Sequence, residues 1–184
     1  MPEGDVTAMA VEERQQRYLL QSARHEAGHV VYSLVRGQPY ASMILFHFRD
    51  PDGNVQVGHK DIVGLTQTAS KLTGKRNRSA NGFAGVVGEC IYVLAESCRS
   101  RNLPMNELYQ RCIDDASPED LNDMNTVSPA WRHRAFDDAV RVLWLHRREL
   151  KRIADRASNE FVRDGHLKNW KEPYFLTLNS LGEI

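Results

Sequence analysis

Cysteine is scarce in this 184-residue sequence, and its placement argues against two classes of protein. The three cysteines, Cys90, Cys98 and Cys112, are odd in number and form no Cys-x-x-Cys pair. The odd number argues against a disulfide-stapled domain, and the missing pair argues against a zinc ribbon held by cysteines. Cys90 and Cys98 fall in an apolar helical pattern, so we expect both to be buried, reduced thiols.

Long apolar runs and an excess of charge of one sign are also absent. No run reaches about eighteen apolar residues, so no segment is predicted to span a bilayer. The acidic first residues lack the apolar stretch of a signal peptide. The sequence has 24 basic and 24 acidic residues, a balance that does not favour nucleic acid or an anionic membrane as partner. We therefore expect a soluble, cytoplasmic protein, and we interpret the basic segment GKRNRS, Gly74–Ser79, as a solvated loop.

The length fits one domain with a sizeable core. We expect residues 1–9 to form a flexible N-terminal tail and residues 10–184 a single domain. Apolar periodicity and start signals predict helices over about Val11–Val35, Ala80–Cys98 and Met105–Cys112, from Pro118, and from Pro129 to about Val162. A β-rich run and the turn DPDGN predict a hairpin of Met43–Arg49 and Val55–Lys60. The predicted fold class is mostly α with a small β-hairpin or sheet.

The segment SARHEAGHVVYSLVRG, residues 22–37, carries the most chemical information. His25 and His29 are four residues apart, so on a helix both imidazoles can reach one cation. Glu26 lies about 100° around the helix from His25, where it can accept a proton from a water at the metal's open position. A chance match is the alternative, but burying this polar group without a partner is unfavourable. The pattern therefore predicts a zinc site of the hydrolase type.

Such a site needs a third protein ligand from elsewhere in the chain. The candidates are Glu89 in the second predicted helix, and Asp120 and Asp123 in the segment SPEDLNDM. Ser117 and Pro118 predict a helix start, so Asp120 also lies where a carboxylate is favourable without any metal. From the residues alone, the third ligand remains open. Two histidines and a carboxylate would also suit iron, cobalt or nickel.

Several segments together resemble the peptidase domain of the FtsH family of ATP-dependent zinc proteases. The matching segments are the helix RHEAGHVVYSLV, the motif AGVVGE at Ala84–Glu89, the loosely similar SPEDL around Asp120, and the helix FDDAVRVLWLHRRELKRIADRA. The resemblance covers roughly Tyr18 to Phe161. It implies a zincin-like metallopeptidase domain with a buried HExxH helix over residues 10–184.

The resemblance also implies roles for individual residues. His25, His29 and Asp120 would bind Zn²⁺ as the cofactor, and Glu26 would activate the catalytic water. Glu89 would orient the site by contacting a ligand rather than the metal, and Asp123 is the reserve ligand. By the same resemblance, a homo-oligomer is expected.

Two features of the FtsH family, the ATPase module and the membrane helices, do not occur in this sequence, which has no G-x-x-x-x-G-K-[ST] motif. We therefore expect a stand-alone zinc metalloendopeptidase that is ATP-independent by itself and hydrolyses peptide bonds by metal-activated water. Its substrate would be a peptide or protein. Whether a separate ATPase or adaptor is a partner stays open. The substrate is expected to add to a free edge of the strand MILFHF. A catalytically inactive zinc-binding regulatory or interaction module of the same fold, and a metal-free helical interaction protein, are the alternatives.

Overall fold

The structure, a computed structural model, describes residues 4–47, 62–97, 105–166 and 173–183, with side chains for 15–46, 64–91, 105–166 and 173–183. It is 67% helical with a small three-stranded antiparallel sheet, which confirms the predicted coarse fold class. The elements are α1 (Gly4–Val35), β1 (Ala41–His47), β2 (Ile62–Thr68), α2 (Lys75–Ser97), α3 (Met105–Asp114), α4 (Pro118–Met124), α5 (Pro129–Leu145), α6 (Arg147–Arg163) and β3 (Tyr174–Leu178).

Helix α1 lies at the centre of the fold and packs against α2, α6 and the sheet. It begins at Gly4, earlier than the predicted start near Val11. It ends where Gly37 takes a positive φ of 84°, a conformation that favours glycine. The Gln38 N–H then donates to Ser33 O at 3.1 Å and the Gly37 N–H to Leu34 O at 3.0 Å, which satisfies carbonyls left free at the helix end. The predicted end of this helix at about Val35 is confirmed.

The sheet has the order β2–β1–β3, with both pairings antiparallel. The first predicted strand, 43–49, overlaps β1, whereas the second, 55–60, lies outside the described residues. β1 pairs with β2 in a register that sets Met43 opposite Thr66, and with β3 in a register that sets Met43 opposite Leu176. The prediction that the MILFHF strand offers a free edge is therefore wrong, because β1 is hydrogen-bonded on both sides.

Helix α2 begins at Lys75, so most of the basic segment GKRNRS forms the first helical turn rather than the loop that we predicted. Farther along, α2 crosses α1 at close range. A Cβ on Gly28 would lie 2.2 Å from the carbonyl oxygen of Ala84, and a Cβ on Gly88 would lie 2.6 Å from the carbonyl oxygen of Arg24. The small residues of α2 therefore let the backbone of α1 approach closely.

The single helix predicted from Pro129 to about Val162 is wrong, because the chain divides at His146 into α5 and α6. The apolar stripe continues through both, and Phe136, Leu143, Leu150, Ile153 and Phe161 are all buried. The break follows from packing, since α5 lies mainly against α2 and α6 mainly against α1. The helix therefore breaks because its two halves pack on different helices, although the apolar periodicity continues across the break.

The described cysteines agree with the expectation of unpaired thiols. Cys90 and Cys112 are buried and free, and Cys98 lies outside the described residues. None of the helices in the described part of the chain combines the length and the apolar character needed to cross a bilayer.

Candidate metal centre

The site begins on one face of α1, where the HEAGH segment is fully helical. The His25 and His29 rings lie 5.0 Å apart between centroids and meet edge to face. Glu26 and His29 are buried, with 5% and 7% of their surface exposed, although both are polar. Buried groups of this kind need partners, and three other elements, α2, α4 and β2, supply them.

Helix α4 supplies the carboxylate Asp120. Ser117 is the N-cap and Pro118 the first helical residue, as the sequence predicted. The Asp120 N–H donates to Ser117 Oγ at 3.1 Å, and the Ser117 hydroxyl lies 3.0 Å from Asp120 Oδ2. A Cβ on Gly82 would lie 2.6 Å from the Asp120 carbonyl oxygen, so a side chain there would push α4 away from α2. The cap and this glycine fix the position of Asp120.

The two imidazoles and the Asp120 carboxylate converge on one point. His25 Nε2 lies 3.3 Å from Asp120 Oδ2, and His29 Nε2 lies 3.3 Å from Asp120 Oδ1. Within the described residues, these three form the cluster able to hold a metal ion, with ligand atoms all within 4.8 Å of one another. Ligand atoms about 2.0–2.2 Å from a tetrahedral zinc are separated by roughly 3.3–3.6 Å. The donor types suit a divalent metal ion, and the two 3.3 Å separations, which involve different oxygens of Asp120, lie in this range.

Gly85 of α2 lies directly beside the two imidazole rings of the cluster. A Cβ at this position would lie 2.3 Å from His25 Nε2 and 2.6 Å from His29 Nε2. No side chain fits there without displacing both imidazoles. The sequence placed Gly85 only within the AGVVGE motif, and its position beside the two Nε2 atoms appears only in the structure.

Glu89, one turn farther along α2, contacts the back of His25. The Nδ1–H of His25 donates to Glu89 Oε1 at 2.7 Å, and Gln21 Nε2 donates to Glu89 Oε2 at 2.5 Å. A proton held on Nδ1 leaves the Nε2 lone pair of His25 directed at the cluster, which is how carboxylates orient histidine ligands. By contrast, His29 Nδ1 is buried and has no hydrogen-bond partner among the described residues.

Strand β2 covers Glu26. The Thr66 hydroxyl donates to Glu26 Oε2 at 2.7 Å and also lies 3.2 Å from the Glu26 carbonyl oxygen. A Cβ on Gly64 would lie 2.2 Å from Glu26 Cγ, so the glycine makes room for the carboxylate. The sequence did not predict β2, and it therefore missed both residues. The alternating motif IVGLTQT carried a weak strand signal that lay outside the predicted hairpin.

Charge couples the residues of the cluster. Burial lowers the pKa of His25, but hydrogen bonds to Asp120 and Glu89 outweigh it and raise the pKa to about 10. Burial raises the pKa of Asp120, but the charge of His29 and the hydrogen bond with His25 lower the pKa to about 2. These interactions therefore favour the protonated form of His25. A metal ion must displace that proton, since ligand nitrogens bind in the neutral form.

The cluster opens into a cavity of about 360 Å³ between α1, α2, α4 and β2. Lys71 and Arg78 bring positive charge to its lining, and Glu119 and Asp123 bring negative charge. Burial and the nearby charge of Asp120 raise the pKa of Asp123, which is outside the three-residue cluster. The reserve ligand thus borders the cavity without joining the other donors.

Comparison with known proteins gave no relative, since no family model and no curated protein matches the chain.

Proposed function

We propose that this protein is a zinc metalloendopeptidase with a zincin-like domain of the FtsH peptidase type. One observation carries the proposal: two imidazole nitrogens and a carboxylate converge beside a second, buried carboxylate, Glu26, at the end of an open cavity. A purely structural zinc site takes four protein ligands, whereas a catalytic site takes three and keeps one position open. The cluster offers three protein ligands within the described residues, which supports the catalytic type.

His25, His29 and Asp120 would hold the metal in this proposal. A bound zinc ion lowers the pKa of a water at its open position and polarises the carbonyl that is attacked. Glu89 keeps His25 in the tautomer that binds through Nε2, and Gln21 in turn holds Glu89. The Ser117 cap holds Asp120. His25 and Asp120 are therefore each preorganised by a residue that is not itself a ligand.

Glu26 would act as the general base and then as the general acid. Its carboxylate accepts a proton from the attacking water and later transfers it to the amine that leaves when the peptide bond breaks. The Thr66 hydroxyl occupies one carboxylate oxygen, Oε2, which restricts the rotation of the carboxylate. The other oxygen, Oε1, would then accept the proton from water and transfer it to the leaving amine.

The substrate would be an extended peptide lying along β2. Within the described residues, β2 is hydrogen-bonded on one side only, to β1. Gly64, Leu65, Thr66 and Thr68 of this strand line the cavity, and Leu65 is 47% exposed. A peptide that pairs with the outer edge of β2 would bring its backbone past Glu26 and gain main-chain hydrogen bonds without regard to sequence. This edge replaces the β1 edge expected from the sequence.

Two variants test the proposal by separating metal binding from catalysis. Glu26→Gln should keep zinc and lose cleavage of an unfolded protein substrate such as casein by about a hundredfold or more, because the base is removed. His29→Ala should lose both zinc and cleavage. Glu107→Gln, at an exposed position on α3, is the matched control and should change neither. Zinc content and cleavage rate are measured on the same preparations.

The pattern of results also separates the alternatives. Cleavage at the wild-type rate by Glu26→Gln would contradict the proposed role of Glu26. Stoichiometric zinc in both the wild type and Glu26→Gln, with no cleavage by either, would favour an inactive zinc-binding module of the same fold.

A further inference from the structure

A second cavity, of about 320 Å³, shares no lining residue with the metal centre. Its lining includes one residue just beyond α1, two in the first turn of α2 and three in α5: Arg36, Arg76, Asn77, Trp131, Arg134 and Asp138. Arg76 and Asn77 belong to the basic segment GKRNRS, which the proposed peptidase function does not use. The cavity thus brings three guanidinium groups and one carboxylate together around an indole ring.

Trp131 holds two of these guanidinium groups. The Cζ atom of Arg76 lies 3.8 Å from the centroid of the Trp131 ring, and that of Arg134 lies 4.4 Å from it. Both distances are well within the range of cation–π attraction. A guanidinium that packs by its face keeps the N–H groups at its edge available for oxyanions. The indole therefore gives two exposed arginine side chains a packing partner beside the cavity.

Neither of these two arginines is neutralised. In the part of the chain that the structure describes, no carboxylate lies within ion-pair distance of Arg76 or Arg134. The cavity's acidic residue, Asp138, already accepts from Arg36, from Arg141 at 2.7 Å and from the Tyr32 hydroxyl at 2.8 Å. Asp138 therefore offsets Arg36 at most, and the cavity retains two uncompensated positive charges.

The backbone adds to this positive potential. Arg76 lies in the first turn of α2, and Trp131 in the first turn of α5. Neither first turn contains an acidic residue, although the N-terminal end of a helix dipole favours negative charge and disfavours cations. Two helix N-termini with cations in place of acids therefore border the same cavity, an unfavourable arrangement that an anionic ligand would relieve.

We propose that this second cavity binds the phosphoryl group of a small phosphate-bearing molecule. The two guanidinium groups together offer more N–H donors than the two oxygens of a carboxylate can accept. A phosphoryl group has three acceptor oxygens and therefore matches them better. Its charge at pH 7, about −1.5 to −2, balances the two uncompensated arginines. A cavity of this size also suits a small ligand. With two guanidiniums already against the Trp131 ring, stacking of a nucleic-acid base there is disfavoured.

Inorganic phosphate is the probe, and isothermal titration calorimetry is the measurement. The protein is treated with chelator beforehand so that phosphate cannot bind zinc at His25, His29 and Asp120. Each titration is matched by sodium chloride and sodium acetate at the same ionic strength. The expected result is saturable binding of phosphate that acetate does not reproduce.

Two double variants locate the binding site. Arg76→Gln with Arg134→Gln should weaken phosphate binding by at least about tenfold, because charge-assisted hydrogen bonds are lost. Arg76→Lys with Arg134→Lys keeps the charge but loses the planar forks, and it should also weaken binding. Arg148→Gln with Arg152→Gln, at exposed positions on α6, is the charge-matched control and should bind as the wild type does. Circular dichroism checks that all variants are folded.

Three outcomes would overturn the proposal. The first is the absence of saturable binding beyond the chloride control, which would leave the cluster with a packing role around Trp131. The second is wild-type affinity in the double lysine variant, which would show attraction by charge alone. The third is binding of a single-stranded RNA oligomer without binding of phosphate, which would assign the surface to a nucleic-acid backbone. None of these outcomes depends on peptidase activity, because the measurement uses metal-free protein.

Discussion

Single residues decide whether the candidate metal centre can exist, and Gly85 illustrates this most clearly. A glycine is needed at this position because it has no Cβ. A Cβ here would lie 2.3 Å from His25 Nε2. The neighbouring turns of α2 must therefore carry a glycine beside the ligands and a carboxylate, Glu89, behind them. Sequence patterns identify both residue types, but only the packing of α2 on α1 explains why each is where it is.

We predict that Gly85→Ala weakens zinc binding while the protein remains folded. The added methyl group must displace His25 and His29, so the affinity for zinc should fall by about 10- to 100-fold, as it does when the support of a metal ligand is removed. Competition with a chromogenic chelator measures the affinity. Gly182→Ala is the control, since the nearest atom to a Cβ there is 3.8 Å away. Equal zinc affinity in Gly85→Ala and the wild type would show that the His25 and His29 imidazoles do not bind zinc beside Gly85.

At the scale of elements, the connection between α1 and α5 is polar and sensitive to acid. The Tyr32 hydroxyl donates to Asp138 Oδ2, and Arg36, just beyond α1, pairs with the same carboxylate. Burial raises the pKa of Asp138, but hydrogen bonds from Arg141, Tyr32 and Arg36 outweigh it and lower the pKa. A carboxyl group whose pKa is lower in the folded than in the unfolded state stabilises the fold above its unfolded pKa, and that stabilisation is lost as the pH falls through the folded pKa.

We therefore predict that Asp138→Asn lowers the free energy of unfolding at pH 7 by about 1 kcal/mol, a value that allows for screening by solvent at this partly exposed site. The deficit should shrink as the pH falls below about 4, the usual pKa of an unfolded aspartate. Urea unfolding at several pH values measures this difference. Asp137→Asn, the exposed neighbour, should show little loss at any pH. A deficit in Asp138→Asn that does not change with pH would contradict an electrostatic role.

The elements also show what periodicity alone can and cannot predict. The apolar stripe from Phe136 to Phe161 correctly identified the buried face, but it could not reveal the break at His146, since no proline or glycine occurs there and the period continues. The Ser-Pro signals correctly located the starts of α4 and α5, and Ser117 caps α4 with its side chain, whereas Ser128 makes no side-chain cap hydrogen bond. Local start signals therefore predicted helix boundaries more reliably than apolar periodicity did.

Across the whole molecule, the coarse fold and the His25, Glu26 and His29 set could be predicted from the sequence, while the third member of the cluster and the residues that line the site could not. His25, Glu26 and His29 lie on one helix, so helical geometry alone brings them together. Asp120 is 91 residues beyond His29 and was one of three candidates until the packing of α4 was known. Thr66 and Gly64 reach Glu26 only because β2 pairs with β1, and strand pairing is a non-local property that the sequence does not reveal. The same holds for β3, which joins the sheet from the far end of the chain.

The metal content of the protein, purified without chelator and measured by elemental mass spectrometry, tests the central claim most directly. The wild type should contain about one zinc per chain. Asp120→Ala should lose most of it, whereas Asp123→Ala, which changes the carboxylate outside the cluster, should keep it. No metal in the wild type, even after zinc is added back, would contradict the proposed metallopeptidase. Full zinc content in Asp120→Ala would contradict the proposed ligand set.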